Sequence, residues 1–276
     1  MPHPAPIPRL LYGTAWKEER TEALTALALA AGFRGIDTAN QRKHYVEAAV
    51  GKAVQSAISS ALLTRAELFL QTKFTFQRGQ DHRLPYDPKA SVATQVEQSF
   101  DSSLEHFATD YVDSFVLHGP SGRDCLSRAD IEAWRAIEAQ VECGRARFAG
   151  VSNFSLAQLR ELVQLAKVPP RFVQNRCYAR TGWDRDVRRL CVEHGVVYQG
   201  FSLLTANRAE LAEASLRALC QRTGRSAAEL VFAFAVAVGM LPLTGTSNGE
   251  HMRLDLEALD FSLEPADVAW LERAFG

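Results

Sequence analysis

"GFRGIDTANQRKHYVEAAVG", Gly32 to Gly51, holds a strand end, a polar loop and a helix start in twenty residues. The first part is short, apolar around Ile36 and closed by Asp37. The last, from Glu47, carries alanine and valine at helical spacing. The same alternation recurs along the chain. Short apolar or β-branched runs read "RLLYG" (9–13), "GIDTA" (35–39), "LFLQTKF" (68–74), "VDSFVLHG" (112–119), "ARFAGVSN" (146–153), "FVQNR" (172–176), "VVYQGFS" (196–202) and "LPLTGT" (241–246). Between them lie longer segments of helical period, such as Pro88 to His106 (Val92, Val96, Phe100, Leu104) and Ser155 to Ala166 (Leu156, Leu159, Leu162, Val163).

Strands separated by whole helices pair in parallel, because a parallel connection needs a crossover, and both faces of such a sheet are covered. A doubly wound sheet and a closed barrel both satisfy the pattern. Eight units in 276 residues, with no compositional break to divide them, favour an α/β chain folded as one (β/α)8 TIM barrel over residues 1–276. Residues 1–8, rich in proline, are expected as a flexible tail. Ser155 can cap the helix that follows it, Ser226 and Glu229 make a capping box, and Gly195 and Gly239 follow helix ends. An extra helix is expected between Leu203 and Gly224, after the seventh strand.

The formal charge is -1 with acids and bases interspersed, which gives no footprint for nucleic acid or an anionic membrane surface. No window has the length of a membrane-spanning helix, so a cytoplasmic protein with a small-molecule partner is expected. Cys125, Cys143, Cys177, Cys191 and Cys220 are widely spaced and form no C-x-x-C pair, so they read as reduced, mostly buried thiols and no metal site is expected.

Chemistry in such a barrel sits where strands turn into helices. Asp37, Lys73, His118, Ser152, Asn153, Gln174 and Ser202 all fall there. Each alone has a bland reading: the aspartate as a cap, the lysine as a solvated surface group, the histidine as a satisfied core residue. Together, an acid, a lysine and a histidine at the same end of successive strands converge on one mouth. With Tyr45 they make a proton-transfer site, since an ammonium about 4 Å from the phenol would favour phenolate by roughly 4 kcal/mol at an effective dielectric near 20, while Asp37 beside the lysine would orient it, keep it charged and partly cancel its field at the phenol. His118 can donate a hydrogen bond to a carbonyl oxygen.

In order and spacing, "YGTAW", "GFRGIDTA", "LFLQTKF", "VDSFVLHGP", "GVSNF" and "LPLTGTS" resemble the aldo-keto reductases over nearly the whole chain. The resemblance implies a (β/α)8 barrel that binds a nicotinamide cofactor in extended form without a glycine-rich Rossmann loop and reduces aldehydes and ketones. It implies a tetrad of Asp37, Lys73, His118 and a tyrosine acting as general acid. Ser152, Asn153 and Gln174 fall where the family holds the nicotinamide carboxamide, and Phe201 where an aromatic stacks on the ring. Ser202, Leu204 and the loop of Gly13, Thr14 and Trp16 fall beside the pyrophosphate, ribose or substrate mouth.

The chain also departs from the family pattern. Arg42 occupies the usual tyrosine position, so a longer loop has to carry the phenol; Tyr45 is assigned that place, with His44 as its rival. Gly245 and His251 stand where NADPH-preferring members have a lysine and an arginine. Thr246, Ser247 and Asn248 remain as donors at a helix start, with Asp255 further along, and NADPH is expected with NADH open. Gly119 stands where many members carry tryptophan. Trp16, Phe74, Phe76 and Trp183 are candidate walls for a small carbonyl substrate. The expected enzyme is a monomeric NAD(P)H-dependent carbonyl reductase; the alternative is a catalytically weak NADP-binding barrel with a regulatory or sensor role.

Overall fold

A computed structural model describes residues 6–275. Its strands are β1 (Leu11–Gly13), β2 (Gly35–Asp37), β3 (Phe69–Phe74), β4 (Val112–Leu117), β5 (Ala146–Ser152), β6 (Phe172–Arg176), β7 (Val197–Phe201) and β8 (Leu241–Thr244), one in each run read from the sequence. They are parallel and close in sequence order, β8 pairing with β1. Six helices follow the first six strands: α1 (Thr21–Ala31), α2 (Glu47–Ser59), α3 (Val92–Phe107), α4 (Arg128–Glu142), α5 (Leu156–Leu165) and α6 (Arg185–Glu193). The connection after β7 holds α7 (Arg208–Leu211) and α8 (Ala214–Thr223) before α9 (Ala227–Ala237), so two short helices stand where one was expected. The chain ends through α10 (Gly249–Glu257) and α11 (Pro265–Leu271).

Local chemistry places these elements. Ser155 and Ser226 close capping boxes with Gln158 and Glu229, and Gly195 and Gly239 take the left-handed conformation (φ 65° and 76°) that ends the preceding helices at little cost for glycine. Where α2 crosses α3, Gly51 leaves no room for a side chain: a Cβ there would lie 1.8 Å from the His106 carbonyl oxygen.

The strand period of two divides the barrel into an outer shell and a filled interior. Outward residues such as Phe74, Phe115 and Val173 join the large core beneath the helices, whereas Leu11, Phe69, Phe172, Leu241 and Leu243 fill the lower barrel. Ile7 packs against this inner cluster, and a Cβ on Gly35 would meet Pro8 at 2.5 Å. The tail expected over residues 1–8 is therefore held by the time the chain reaches Ile7, and residues 1–5 lie outside the described residues. The cysteines also differ from expectation: Cys177 and Cys191 are buried, which pushes both thiols up to about 12, but Cys125 and Cys143 are exposed and Cys220 is half-buried.

Candidate active site

The connection from β2 to α2 is fastened by buried amides. Asn40 Nδ2 donates to the Ser99 carbonyl (2.9 Å), Gln41 Nε2 to the Gly79 carbonyl (2.6 Å) and Gln80 Nε2 to the Asn40 carbonyl (2.9 Å). The Gln41 carbonyl then accepts the N–H groups of His44 (3.1 Å) and Tyr45 (3.0 Å), so the chain turns tightly there. This turn sends neighbouring side chains to different places. His44 stacks on Trp16 with centroids 3.9 Å apart, while the Tyr45 ring stands edge-on to His118 at 5.9 Å with the Lys73 ammonium 5.4 Å from its centroid. Of the two rivals, Tyr45 lies beside Lys73 and His118.

Beneath the phenol, Lys73 is fully buried and donates to Asp37 Oδ1 (2.7 Å) and the Thr38 carbonyl (2.8 Å). Burial lowers the lysine pKa, with Asp37 opposing the shift. Burial and then the Asp37 carboxylate push the Tyr45 phenol above its ordinary value. The pull of the Lys73 ammonium toward phenolate, expected from the sequence, is thus outweighed in the resting site by desolvation and by the Asp37 carboxylate bound to it. His118 is held well below its ordinary value by burial and then by Lys73, so its imidazole is neutral near pH 7. Its Nδ1 meets the Thr75 hydroxyl at 2.7 Å. A hydroxyl donating to Nδ1 leaves Nε2–H as the ring's donor.

Asp37 is anchored by a layer that sequence reading only partly found. Gln71 and Gln174 each donate from Nε2 to Asp37 Oδ1 (2.7 and 2.9 Å) and to Gln199 Oε1 (2.8 and 3.0 Å), and Gln199 Nε2 donates back to Gln71 Oε1 (3.0 Å). Register explains it: Asp37 pairs with Gln71 and Gln174 with Gln199, so all four point inward at one level. The missed signal was the spacing of two between Gln71 and Lys73.

A second buried acid adjoins this site from outside the barrel. Glu47, at the start of α2, accepts from the Thr72 hydroxyl through one oxygen and meets His106 Nδ1 at 2.8 Å through the other. The hydrogen bond to Glu47 raises the His106 pKa against the opposing effect of burial. With the folded value above the unfolded one, the stabilisation is fully present below about pH 6.5 and is lost as pH rises through the folded pKa. The unfolding free energies of the wild type and His106→Gln should therefore differ more at about pH 5.5 than at about pH 9 in denaturant titrations. A gap independent of pH would reject the ionised pair.

The expected cofactor residues fall into two groups. Near β5 and β6, Ser152 Oγ donates to the Gln174 carbonyl (2.7 Å), and Asn153, at φ 59°, donates from Nδ2 to the His118 carbonyl (2.8 Å) and to Ser152 Oγ (3.1 Å). Phe201 faces inward, half-buried, above the lower barrel, and Ser202 follows at φ 57°. Gly13 and Leu204 are half-buried, Leu204 against the large core beneath the helices. Other residues are engaged elsewhere. Thr14 is buried with its hydroxyl on the Asp37 carbonyl (3.0 Å), which ties β1 to β2. Asp255 is turned inward to accept from the Thr244 hydroxyl (2.7 Å), and burial pushes its carboxyl up to about 6. Both side chains are tied into the scaffold.

At α10, Asn248 Oδ1 already accepts the Glu250 and His251 N–H groups (2.8 and 3.2 Å), and Thr246 Oγ1 accepts the Asn248 N–H (3.2 Å). Ser247 and the His251 side chain are exposed. The thinned cationic clamp has a neighbour that sequence reading passed over: the Lys17 ammonium bonds the Gly245 carbonyl and would lie 3.8 Å from a Cβ at that glycine. Its pKa is lowered by burial and then by Arg20.

Of the expected walls, Trp16 is 67% exposed and Phe76 half-buried. Phe74 and Trp183 are fully buried and do not form the mouth. Phe74 follows inward-facing Lys73 and so points outward, against Phe76 and Tyr86; Trp183 donates from Nε1 to the Leu271 carbonyl (2.8 Å) and packs on Phe234. Among the described residues, no three His, Cys, Asp or Glu cluster to hold a metal, and no helix is long and apolar enough to cross a membrane.

Comparison with known proteins agrees with the fold and the order of these motifs. The sequence profile of the Aldo/keto reductase family matches residues 10–274. D-galacturonate reductase of Fragaria ananassa is 28% identical over 272 residues, covering 91% of this chain and 80% of that protein. An aldo/keto reductase structure from Brucella melitensis superposes with TM-score 0.80 at 27% identity, covering 97% of this chain and 95% of that one. An aldo-keto reductase of the silkworm Bombyx mori, solved with NADPH, superposes with TM-score 0.82 at 24% identity, covering 98% and 84%.

Proposed function

Since the chain belongs to the aldo/keto reductase family and is a nicotinamide-dependent oxidoreductase, we propose that it reduces aldehyde or ketone carbonyls to alcohols with NADPH, the proton coming from Tyr45. One observation carries the reading: the Tyr45 phenol and the His118 imidazole face each other over a buried Lys73–Asp37 pair. Bound nicotinamide supplies the hydride. Tyr45 holds the proton at its phenolic oxygen until the carbonyl oxygen gains charge, and its raised pKa keeps that proton in place before reaction. His118 Nε2–H orients the carbonyl oxygen and stabilises its developing charge. Lys73, bound to Asp37 beneath the ring, stabilises the phenolate left after proton transfer.

The residues around the mouth fit the nucleotide. The side-chain hydrogen bonds of Asn153 and Gln174 run from their amide nitrogens, which leaves their oxygens to suit the carboxamide N–H2 of nicotinamide, and Phe201 offers a ring face. Lys17 supplies a cation on the phosphate side, in place of the lysine missing at Gly245, which favours NADPH over NADH. NADPH at a hundred times its dissociation constant should stabilise the protein by about 2.7 kcal/mol, read as a rise in Tm. It should be oxidised steadily when a reactive aldehyde such as 4-nitrobenzaldehyde is added. A thermal shift without oxidation would instead mark a nucleotide-binding barrel, and neither response would reject the reading.

A further inference from the structure

Above the glutamine layer, β6 ends in a charge that the reaction does not use. Gln174 points into the barrel and Asn175 outward, where its Nδ2 donates to Asp184 (3.0 Å), so Arg176 returns to the inner face. Register agrees, for Arg176 pairs with Phe201, which packs inward on the lower barrel. Two residues of strand raise Arg176 about 7 Å above Gln174, from the level of Asp37 to the rim of the mouth. There it is exposed, with its guanidinium 5.6 Å from the centroid of the Tyr178 ring. Arg180, also exposed, lies 5.3 Å from the centroid of the same ring.

Three arginines of neighbouring loops are differently engaged: Arg42 pairs with Glu18, Arg83 with Asp81, and Arg78 donates to the carbonyls of Pro120 and Ser121. Arg176 and Arg180 form no ion pair among the described residues. A guanidinium laid on an aromatic face keeps its edge donors free, and those donors match a carboxylate in bidentate geometry. Two like charges beside one ring, without a counter-charge, favour an anion at that point of the rim.

We infer that this mouth accepts carbonyl compounds that carry a carboxylate several bonds from the reacting carbon, and that Arg176, with Arg180 beside it, recognises that carboxylate. The inference rests on the carbonyl-reduction reading above. It commits the substrate to an acid, with the reacting carbonyl over Tyr45 and His118 and the charge at the rim of β6.

The test compares 4-carboxybenzaldehyde with its methyl ester, which keeps the ring and the aldehyde but removes the charge and leaves the carbonyl more electrophilic, so a preference for the acid runs against intrinsic reactivity. The wild type should prefer the acid in kcat/KM. Arg176→Gln should lower the acid-to-ester ratio by about tenfold to a hundredfold, as expected for loss of a charge-assisted hydrogen bond, and Arg176→Lys should fall between. A wild type that prefers the ester, or a ratio unchanged in Arg176→Gln, overturns the inference. Weakened NADPH binding in Arg176→Gln with an unchanged ratio also overturns it, by assigning the arginine to a nucleotide phosphate. If neither aldehyde is reduced, the functional reading fails on its own, and calorimetric titration with 4-(hydroxymethyl)benzoate and its methyl ester decides the anion site: tighter binding of the acid, lost in Arg176→Gln, supports it, and equal binding rejects it.

Discussion

Tyr45→Phe should lower kcat/KM for an aldehyde by about a hundredfold to ten-thousandfold while leaving NADPH affinity within about twofold. The variant removes one oxygen and keeps the ring, so the edge-on contact with His118 survives and the loop anchored by Asn40 and Gln41 is undisturbed. His44→Ala should cost far less, because His44 stacks on exposed Trp16 rather than facing Lys73. Near-normal turnover in Tyr45→Phe together with inactivity in His44→Ala would transfer the proton-donor role to the histidine.

Lys73→Met should be the most destabilising single change at the site. Removing one partner of a buried ion pair strands the other charge, at a cost of about 3–5 kcal/mol out of a total stability of about 5–15 kcal/mol. Asp37 would keep only its two glutamine donors. The double variant Asp37→Asn, Lys73→Met should recover much of that loss, because a neutral amide is far easier to bury than an unpaired carboxylate, yet it should remain inactive. Denaturant midpoints of the three proteins measure this directly. If the single variant lies within about 0.5 kcal/mol of the wild type, the charge on Asp37 has found another partner or is absent.

The architecture was legible because it is written in local chemistry. Strand runs, helical periods, the caps at Ser155 and Ser226 and the glycines at 195 and 239 act over a few neighbouring residues, and each reappears where it was read. Asp37, Lys73 and His118 were readable for the same reason: a polar group closing an apolar strand points to the mouth of a barrel once the barrel is inferred. The side-chain walls were less legible. Phe74 and Trp183 are aromatic residues next to mouth positions, but parity turns one outward and a long-range hydrogen bond to Leu271 holds the other beneath the helices.

From the sequence alone came eight βα units, their parallel order and the level at which reactive groups gather, since these follow from spacing along one strand or helix. Tertiary structure decided the rest: which of His44 and Tyr45 meets Lys73, that Thr14 and Asp255 serve as scaffold, that Lys17 reaches Gly245, and that three glutamines converge near Asp37. These contacts join residues as far apart as Lys17 and Gly245, separated by 228 positions. Their formation depends on barrel register and on the balance between desolvation and hydrogen bonding, neither of which is a property of neighbouring residues in the chain.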